Sequence, residues 1–252
     1  MIRVLCELIE PEVRFRQQKI KDTIVFFGSA RTLSKETAES KLKNVEALLQ
    51  KGNPPSGDLL LQYDRAKGDI EMSRYYEDAV RLAEKLTAWS QGMEDPNNRF
   101  IICSGGGGGM MEAANKGAQQ AGGPSIGLNI SLPFEQDPNP FQTRELSVEF
   151  HYFFIRKFWF FYLAKALIVF PGGFGTLDEL FESVTLIQTQ RMEQFPVILV
   201  GTKYWAGLLD WMNKMVLGEG NIGPRDMNIF SVVDTPEEVL RIINAFYNKK
   251  KV

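Results

Sequence analysis

The strongest constraint on how this chain can fold is the alternation of short, continuous apolar runs with longer stretches of helical period. The runs are Thr23–Phe27, Phe100–Cys103, Ser125–Ile130, Val148–Phe153, Leu167–Phe170 and Pro196–Val200, with a further short one at Asn228–Val233. They are apolar at successive rather than alternate positions. That is the mark of strands covered on both faces, and hence of a parallel sheet between layers of helix. The intervals between most of them leave room for crossover helices. The expected fold is therefore α/β, with a doubly wound, mostly parallel sheet flanked by helices. Ligands of such a sheet bind beyond the carboxyl ends of its strands.

A chain of 252 residues can bury the core of one large α/β domain. Residues 34–92 are mostly helical in pattern and carry one break, Gly52-Asn53-Pro54-Pro55-Ser56-Gly57. They read as two helices about a Pro/Gly hinge. They form an insertion on a single domain, 23–252, because neither half has a core of its own. Residues 1–22 form an N-terminal extension, expected to be partly helical and packed on the surface. Near the other end, Thr235-Pro236-Glu237-Glu238 has a capping hydroxyl, Pro at the first helical position and Glu three residues after the cap. A last helix should run from there to about Asn248.

The formal net charge of −2 leaves no basic excess for a nucleic-acid footprint. The one basic run, Lys249 to Lys251, reads as a solvated tail. The two cysteines, Cys6 and Cys103, do not suggest a disulfide framework, and Cys103 lies within a core run. No Cys/His cluster has metal-ligand spacing. Glu7, Glu10 and Glu12 interrupt the apolar start, so no signal-peptide core is visible, and no apolar stretch reaches membrane-spanning length. The cytosol is the expected compartment, with no membrane or nucleic-acid partner.

Two glycine-rich turns carry the chemistry. Ser104-Gly105-Gly106-Gly107-Gly108-Gly109-Met110-Met111-Glu112 follows one strand and precedes a helical pattern. Five glycines cost conformational entropy that a plain turn would not require. They let the backbone approach a ligand, and the next helix adds its positive end. Pro171-Gly172-Gly173-Phe174-Gly175-Thr176-Leu177-Asp178-Glu179 repeats the arrangement after another strand. Thr176 is a natural N-cap there. Glu179, three residues on, has two readings: the acid of a capping box, or a carboxylate facing the mouth of the crevice. Neither turn has the third glycine of a dinucleotide fingerprint. The one formal match, Gly218 to Gly223, follows a helical pattern and reads as a loop. Walker A is absent. A mononucleotide or sugar phosphate is favoured over NAD or ATP hydrolysis.

Arg156 and Lys157 precede a very apolar segment, Phe158–Ala166, expected to be a buried helix. Cations at a helix start oppose its dipole and call for an anionic partner such as substrate, although Lys157 could instead snorkel to solvent. The aromatic stretch Phe158–Tyr162 is either core or a subunit contact. His151, the only histidine, reads as a hydrogen-bonded core residue. Ser29 and Arg31, just after the first strand, lie at its carboxyl end, where Arg31 is either a site residue or a surface arginine. The loop Leu132–Asp137 is expected to cover the site.

Gly106, Met111 and Glu112, together with Arg156-Lys157 and the complete P-G-G-x-G-T-x-x-E run from Pro171 to Glu179, resemble the LOG family of "lysine decarboxylase-like" Rossmann proteins. The resemblance runs from about Thr23 to Leu209. It implies a phosphoribohydrolase, which releases free base and ribose 5-phosphate from AMP or from cytokinin riboside 5′-monophosphates. By motif, Arg156 and Glu179 would be the catalytic pair. Gly172, Gly173, Gly175 and Thr176 would hold the phosphate, and Glu112 would line the ribose side. Ser29, Arg31, Gly106, Gly107, Met111 and Lys157 complete the expected substrate contacts. The resemblance implies homo-oligomers, usually dimers, and no metal or cofactor; no pyridoxal phosphate lysine can be singled out. The alternative function is a nucleotide-binding sensor or carrier of the same fold without turnover.

Overall fold

The computed structural model describes residues 2–51, 56–95, 99–133 and 137–249. The tip of the hinge (52–55), the middle of the expected covering loop (134–136) and Lys250 and Lys251 lie outside them. In chain order the elements are α1 (Ile2–Gln17), β1 (Asp22–Phe27), α2 (Lys35–Lys51), α3 (Gly57–Gln91), β2 (Phe100–Ser104), α4 (Met110–Gln120), β3 (Ser125–Ile130) and β4 (Ser147–Phe150). They continue with α5 (Phe153–Tyr162), β5 (Ala164–Val169), α6 (Phe174–Gln188), β6 (Val197–Val200), α7 (Thr202–Trp211), β7 (Phe230–Val233) and α8 (Pro236–Lys249).

The strands form one seven-stranded sheet in the order β4-β3-β2-β1-β5-β6-β7. Every neighbouring pair is parallel, so the expected doubly wound fold holds and the sheet is wholly rather than mostly parallel. The chain winds outward from β1 to β4, returns to lay β5 against the other side of β1, and winds outward again. The strand order therefore reverses between β1 and β5, and in sheets of this kind ligands bind at the carboxyl ends of the strands at such a reversal.

Side chains alternate across the sheet, as the pleat requires. Val25 and Phe27 enter one core with Leu128, Phe160, Leu167 and Trp205. Ile24 and Phe26 enter the other with Tyr76, Leu82, Leu86, Ile102 and Phe170. α1, α5 and α6 cover the first face, and the second half of α3 with α4 and α8 covers the second. The helical stretch 34–92 thus contributes buried side chains from Tyr75 to Leu86 to the main core. Among the described residues no helix is long and apolar enough to cross a membrane.

The largest boundary differences from the sequence reading lie between Val148 and Phe170, where no Gly, Pro, Asn, Asp or Ser marks an element end. The run Val148–Phe153 stops being strand at Phe150, and α5 begins at Phe153. The segment expected as one buried helix is divided at Leu163, so that Ala164, Lys165 and Ala166 belong to β5. Nor is that apolar helix buried on every side: Trp159, Phe160 and Phe161 face the core, while Phe154, Phe158 and Tyr162 are exposed. At the C-terminus the capping box is present. The Glu238 amide donates to Thr235 Oγ1 at 3.3 Å and the Thr235 amide donates to Glu238 Oε2 at 3.1 Å.

Candidate active site

Three loops meet at the carboxyl ends of β1, β2 and β5, and Ser29 joins them. Its amide donates to the carbonyl of Pro171 (3.0 Å), and its carbonyl accepts the amide of Met110 (3.0 Å). Both glycine-rich turns are thereby tied to one residue. Gly28 makes this possible, since a Cβ there would lie 2.6 Å from Met110 Cγ. The Ser29 hydroxyl accepts the amide of Arg31 at 3.1 Å, while Arg31 itself is exposed.

In the first turn Gly106 and Gly109 have φ of +75° and +63°, a region costly for any side chain. The Gly106 carbonyl is fixed by three donors: the Asn139 amide (2.8 Å), Asn139 Nδ2 (3.0 Å) and Gln142 Nε2 (2.6 Å). Asn139 also reaches the Gly107 carbonyl, 3.0 Å away. Behind them Asn115, Ser104 and Asn129 complete a buried polar network. These network residues escaped the sequence reading. Their signal was polar side chains inside apolar runs, Asn115 in the α4 segment and Asn129 near the end of β3. α4 and α6 both start without a side-chain cap. Their first amides need partners from outside the helix, which makes each end suited to an anion.

Thr176 is not the N-cap of α6. The helix starts at Phe174 with Gly173 as its cap, because an extended glycine lets the chain turn in earlier. The capping box expected for Glu179 therefore does not form, and that carboxylate lies well inside the helix. Thr176 is instead buried beneath the turn, where a Cβ on Gly172 would approach its Oγ1 to 2.1 Å. Gly173 and Gly175 are exposed. The Gly172 carbonyl is held by the Tyr204 hydroxyl at 2.7 Å.

Arg156 sits on α5 above the first turn. Its Nε donates to the Leu128 carbonyl at 2.7 Å and its Nη2 to the Gly105 carbonyl at 3.1 Å. A Cβ on Gly105 would lie 2.5 Å from both Arg156 Nη2 and Met111 Sδ, so the glycine is what admits the guanidinium. Burial lowers the Arg156 pKa to about 10, against the charge of Glu179, which raises it. Glu179 is 6% exposed, and its Oε2 is buried without a hydrogen-bond partner. Burial pushes its pKa up to about 7; Lys157 and Arg156 oppose the rise and Glu182 and Asp178 add to it. A buried carboxyl titrating near neutrality with an orphaned oxygen is poised for proton transfer.

Lys157 is drawn to the carboxylates of α6: Nζ lies 2.5 Å from Glu182, 2.9 Å from Asp178 and 3.8 Å from Glu179. It neither snorkels freely nor points at a glycine turn. Met111 and Glu112 stand on the first turn of α4, where the Glu112 Oε1 accepts the hydroxyl of buried Tyr76 at 2.6 Å. His151 is exposed rather than buried. The Gly218–Gly223 segment is a loop, reached through a π-helical stretch, Met212–Leu217, that continues α7.

A family model described as "Possible lysine decarboxylase" matches residues 111–243. The chain is similar to a cytokinin riboside 5′-monophosphate phosphoribohydrolase of Mycobacterium tuberculosis, 37% identical over 31% of this chain and 41% of that protein. It is also similar to a protein of that name, LOG7, from Arabidopsis thaliana, 34% identical over 33% of this chain and 38% of that one. A bifunctional cytokinin biosynthesis protein of Fusarium pseudograminearum is 34% identical over 29% of this chain and 15% of its own length. The chain thus aligns with less than half of each relative. Among solved structures, the X-ray structure of TM1055 shares the fold, with a TM-score of 0.53 and 20% identity over 89% of this chain and 99% of that one. The family match spans more than half of the residues and holds Arg156, the whole Pro171–Glu179 motif and the first turn of α4 after Met110: the chain belongs to the LOG family.

Proposed function

We propose that the protein is a phosphoribohydrolase that cleaves the N-glycosidic bond of a purine nucleoside 5′-monophosphate, AMP or a cytokinin riboside monophosphate, giving free base and ribose 5-phosphate. The observation that carries this reading is Glu179: a buried carboxyl with one orphaned oxygen, within the electrostatic reach of Arg156, beside two glycine turns joined through Ser29. Homologues named as phosphoribohydrolases support an enzyme.

In this reading the 5′-phosphate is held by the amides of Gly172, Gly173 and Gly175 and by Thr176 at the start of α6, with Gly106 and Gly107 forming the facing wall. Ser29 and Arg31 border the phosphate, and Met111 and Glu112 border the ribose. The anchored phosphate supplies binding energy remote from the reacting bond, which fixes the sugar over Glu179. As the bond between C1′ and the base nitrogen lengthens, positive charge builds on the ribose ring, as in glycosidases. The Glu179 carboxylate stabilises that charge and takes a proton from the attacking water. The water oxygen becomes the new hydroxyl on C1′, the electrons of the broken bond go to the base nitrogen, and the proton taken up by Glu179 passes through solvent to that nitrogen, so that the base leaves neutral and Glu179 is regenerated as the carboxylate. Arg156 orients the nucleotide and favours departure of the base. Lys157 offsets the three carboxylates of α6 so that Glu179 can ionise. The exposed aromatic edge of α5, with Phe174, Leu177 and Phe181 beside it on α6, is the surface on which a second copy would pack to form a homodimer.

The test is a panel of nucleoside monophosphates assayed for free base, with Glu179→Gln alongside. Base release by the wild type and its loss in a variant that still binds nucleotide supports hydrolysis. Binding without release by either protein supports the sensor or carrier reading.

A further inference from the structure

We infer that Glu7, on the N-terminal helix, is a positioning residue for the reaction proposed above: it closes the amino end of α5 and so determines where Arg156 and Lys157 stand. The inference rests on that functional reading for its kinetic consequence and on geometry for its mechanism.

α5 lacks what a helix start needs. Its cap residue, Tyr152, makes no side-chain capping bond, and its first turn holds no acidic residue. Two cations, Arg156 and Lys157, follow within the next residues, where they oppose the helix dipole. Glu7 supplies the missing charge and an anchor from another element. Its Oε1 accepts the amide of His151 at 3.1 Å and its Oε2 accepts the amide of Tyr152 at 3.2 Å. The carboxylate thus pins the two backbone amides that lead into α5 and puts a negative charge at its positive end. About two turns further along, the Trp159 indole N–H donates to the backbone carbonyl of Glu7 at 3.1 Å. One residue therefore grips α5 at two levels. The seat is built: the Glu7 side chain is 10% exposed, and the only cation paired with it among the described residues is Arg3, at 3.5 Å. α1 is itself held in place where Phe15 meets the Trp159 ring edge-on at 5.5 Å and Arg14 donates to the Ser147 carbonyl at 2.8 Å.

The register of α5 matters because the hydrogen bonds that aim Arg156 go to backbone carbonyls of other elements, those of Leu128 and Gly105, while the ring it lies over, Phe160, is on α5 itself. A shift of the helix start moves the guanidinium away from both. The proposed phosphate cradle stands on α4, α6 and their turns, none of which Glu7 touches. Loss of Glu7 should therefore lower turnover and leave nucleotide affinity nearly intact.

The experiment uses the full chain with Glu7→Ala, Glu7→Gln and, as a control on the same helix, Leu8→Ala, whose side chain packs against the core without touching α5's amides. kcat and KM are measured with AMP, and amide hydrogen exchange is followed over residues 148–158. Glu7→Ala should lower kcat about fivefold to tenfold as the guanidinium loses its aim, with KM held within about twofold. Glu7→Gln, which keeps a carbonyl acceptor, should recover part of the loss. Leu8→Ala should melt earlier with kcat preserved. Exchange at the start of α5 should quicken in Glu7→Ala. An unchanged kcat in Glu7→Ala, or an equal loss in Leu8→Ala, overturns the inference. Should the wild type release no base from any nucleotide, the functional reading fails, and the exchange data still decide: unchanged protection of α5 refutes the clamp and quickened exchange upholds it.

Discussion

Replacing Glu179 by Gln should abolish turnover and yet make the protein more stable, and the two effects have one cause. The carboxyl titrates at about 7 instead of 4.5, chiefly because it is buried. A folded pKa above the unfolded one means the protonated form is favoured by folding. The associated stability is fully present below the unfolded pKa and is lost as pH rises through the folded value. At pH 8 holding the ionised group in place costs about 3 kcal/mol, taking about 1.4 kcal/mol per unit; by pH 5 the cost has fallen to about 1 kcal/mol. Gln has the same shape and no charge, so it escapes this cost. In thermal or urea unfolding Glu179→Gln should exceed the wild type by up to about 3 kcal/mol at pH 8, and the gap should close toward pH 5. Base release should fall by about a hundredfold or more, the scale of a lost general base. Two results would refute the reasoning: parallel stability curves for the two proteins between pH 5 and 8, or a variant that retains a substantial part of its activity.

Gly105→Ala places a methyl group 2.5 Å from the Arg156 Nη2 and Met111 Sδ positions, so kcat should drop about tenfold or more as the guanidinium is displaced, while nucleotide binding measured by calorimetry changes little. Lys157→Met removes the cation that most opposes protonation of Glu179, which raises its pKa further; the acidic limb of the pH–rate profile should move to higher pH by about one unit, and an unmoved limb would count against the role given to Lys157. Phe158→Glu introduces a charge into the exposed aromatic edge of α5, and light scattering should then report the mass of a single 28.6 kDa chain, whereas the wild type, as the proposed homodimer, should report twice that.

Reading the chain without coordinates worked where local chemistry and tertiary structure agree. Strands ending in glycine turns, such as Phe100–Cys103 before Gly105, have both ends marked, and continuous apolar runs imply a sheet covered on both faces. It failed where one apolar pattern serves two elements. From Val148 to Phe170 no Gly, Pro, Asn, Asp or Ser marks where β4, α5 and β5 end. What ends β4 before Phe153 is a carboxylate more than a hundred residues away in sequence, that of Glu7. Thr176 looked like a cap because Thr with Glu three residues on is a common helix start, yet an extended Gly173 lets α6 begin sooner. The glycine turns themselves were legible, since five glycines in succession need a reason. Their support was not: Asn139, Gln142 and Tyr76 act through long-range hydrogen bonds that no spacing rule encodes.

The most direct test of the whole account is incubation of the purified protein with AMP and, separately, with adenosine, with adenine and ribose 5-phosphate quantified together. The account predicts adenine and ribose 5-phosphate from AMP in equal amounts and negligible cleavage of adenosine, because without the phosphate nothing holds the sugar over Glu179. Failure to cleave AMP or any other nucleoside monophosphate, or cleavage of adenosine as fast as AMP, would contradict it.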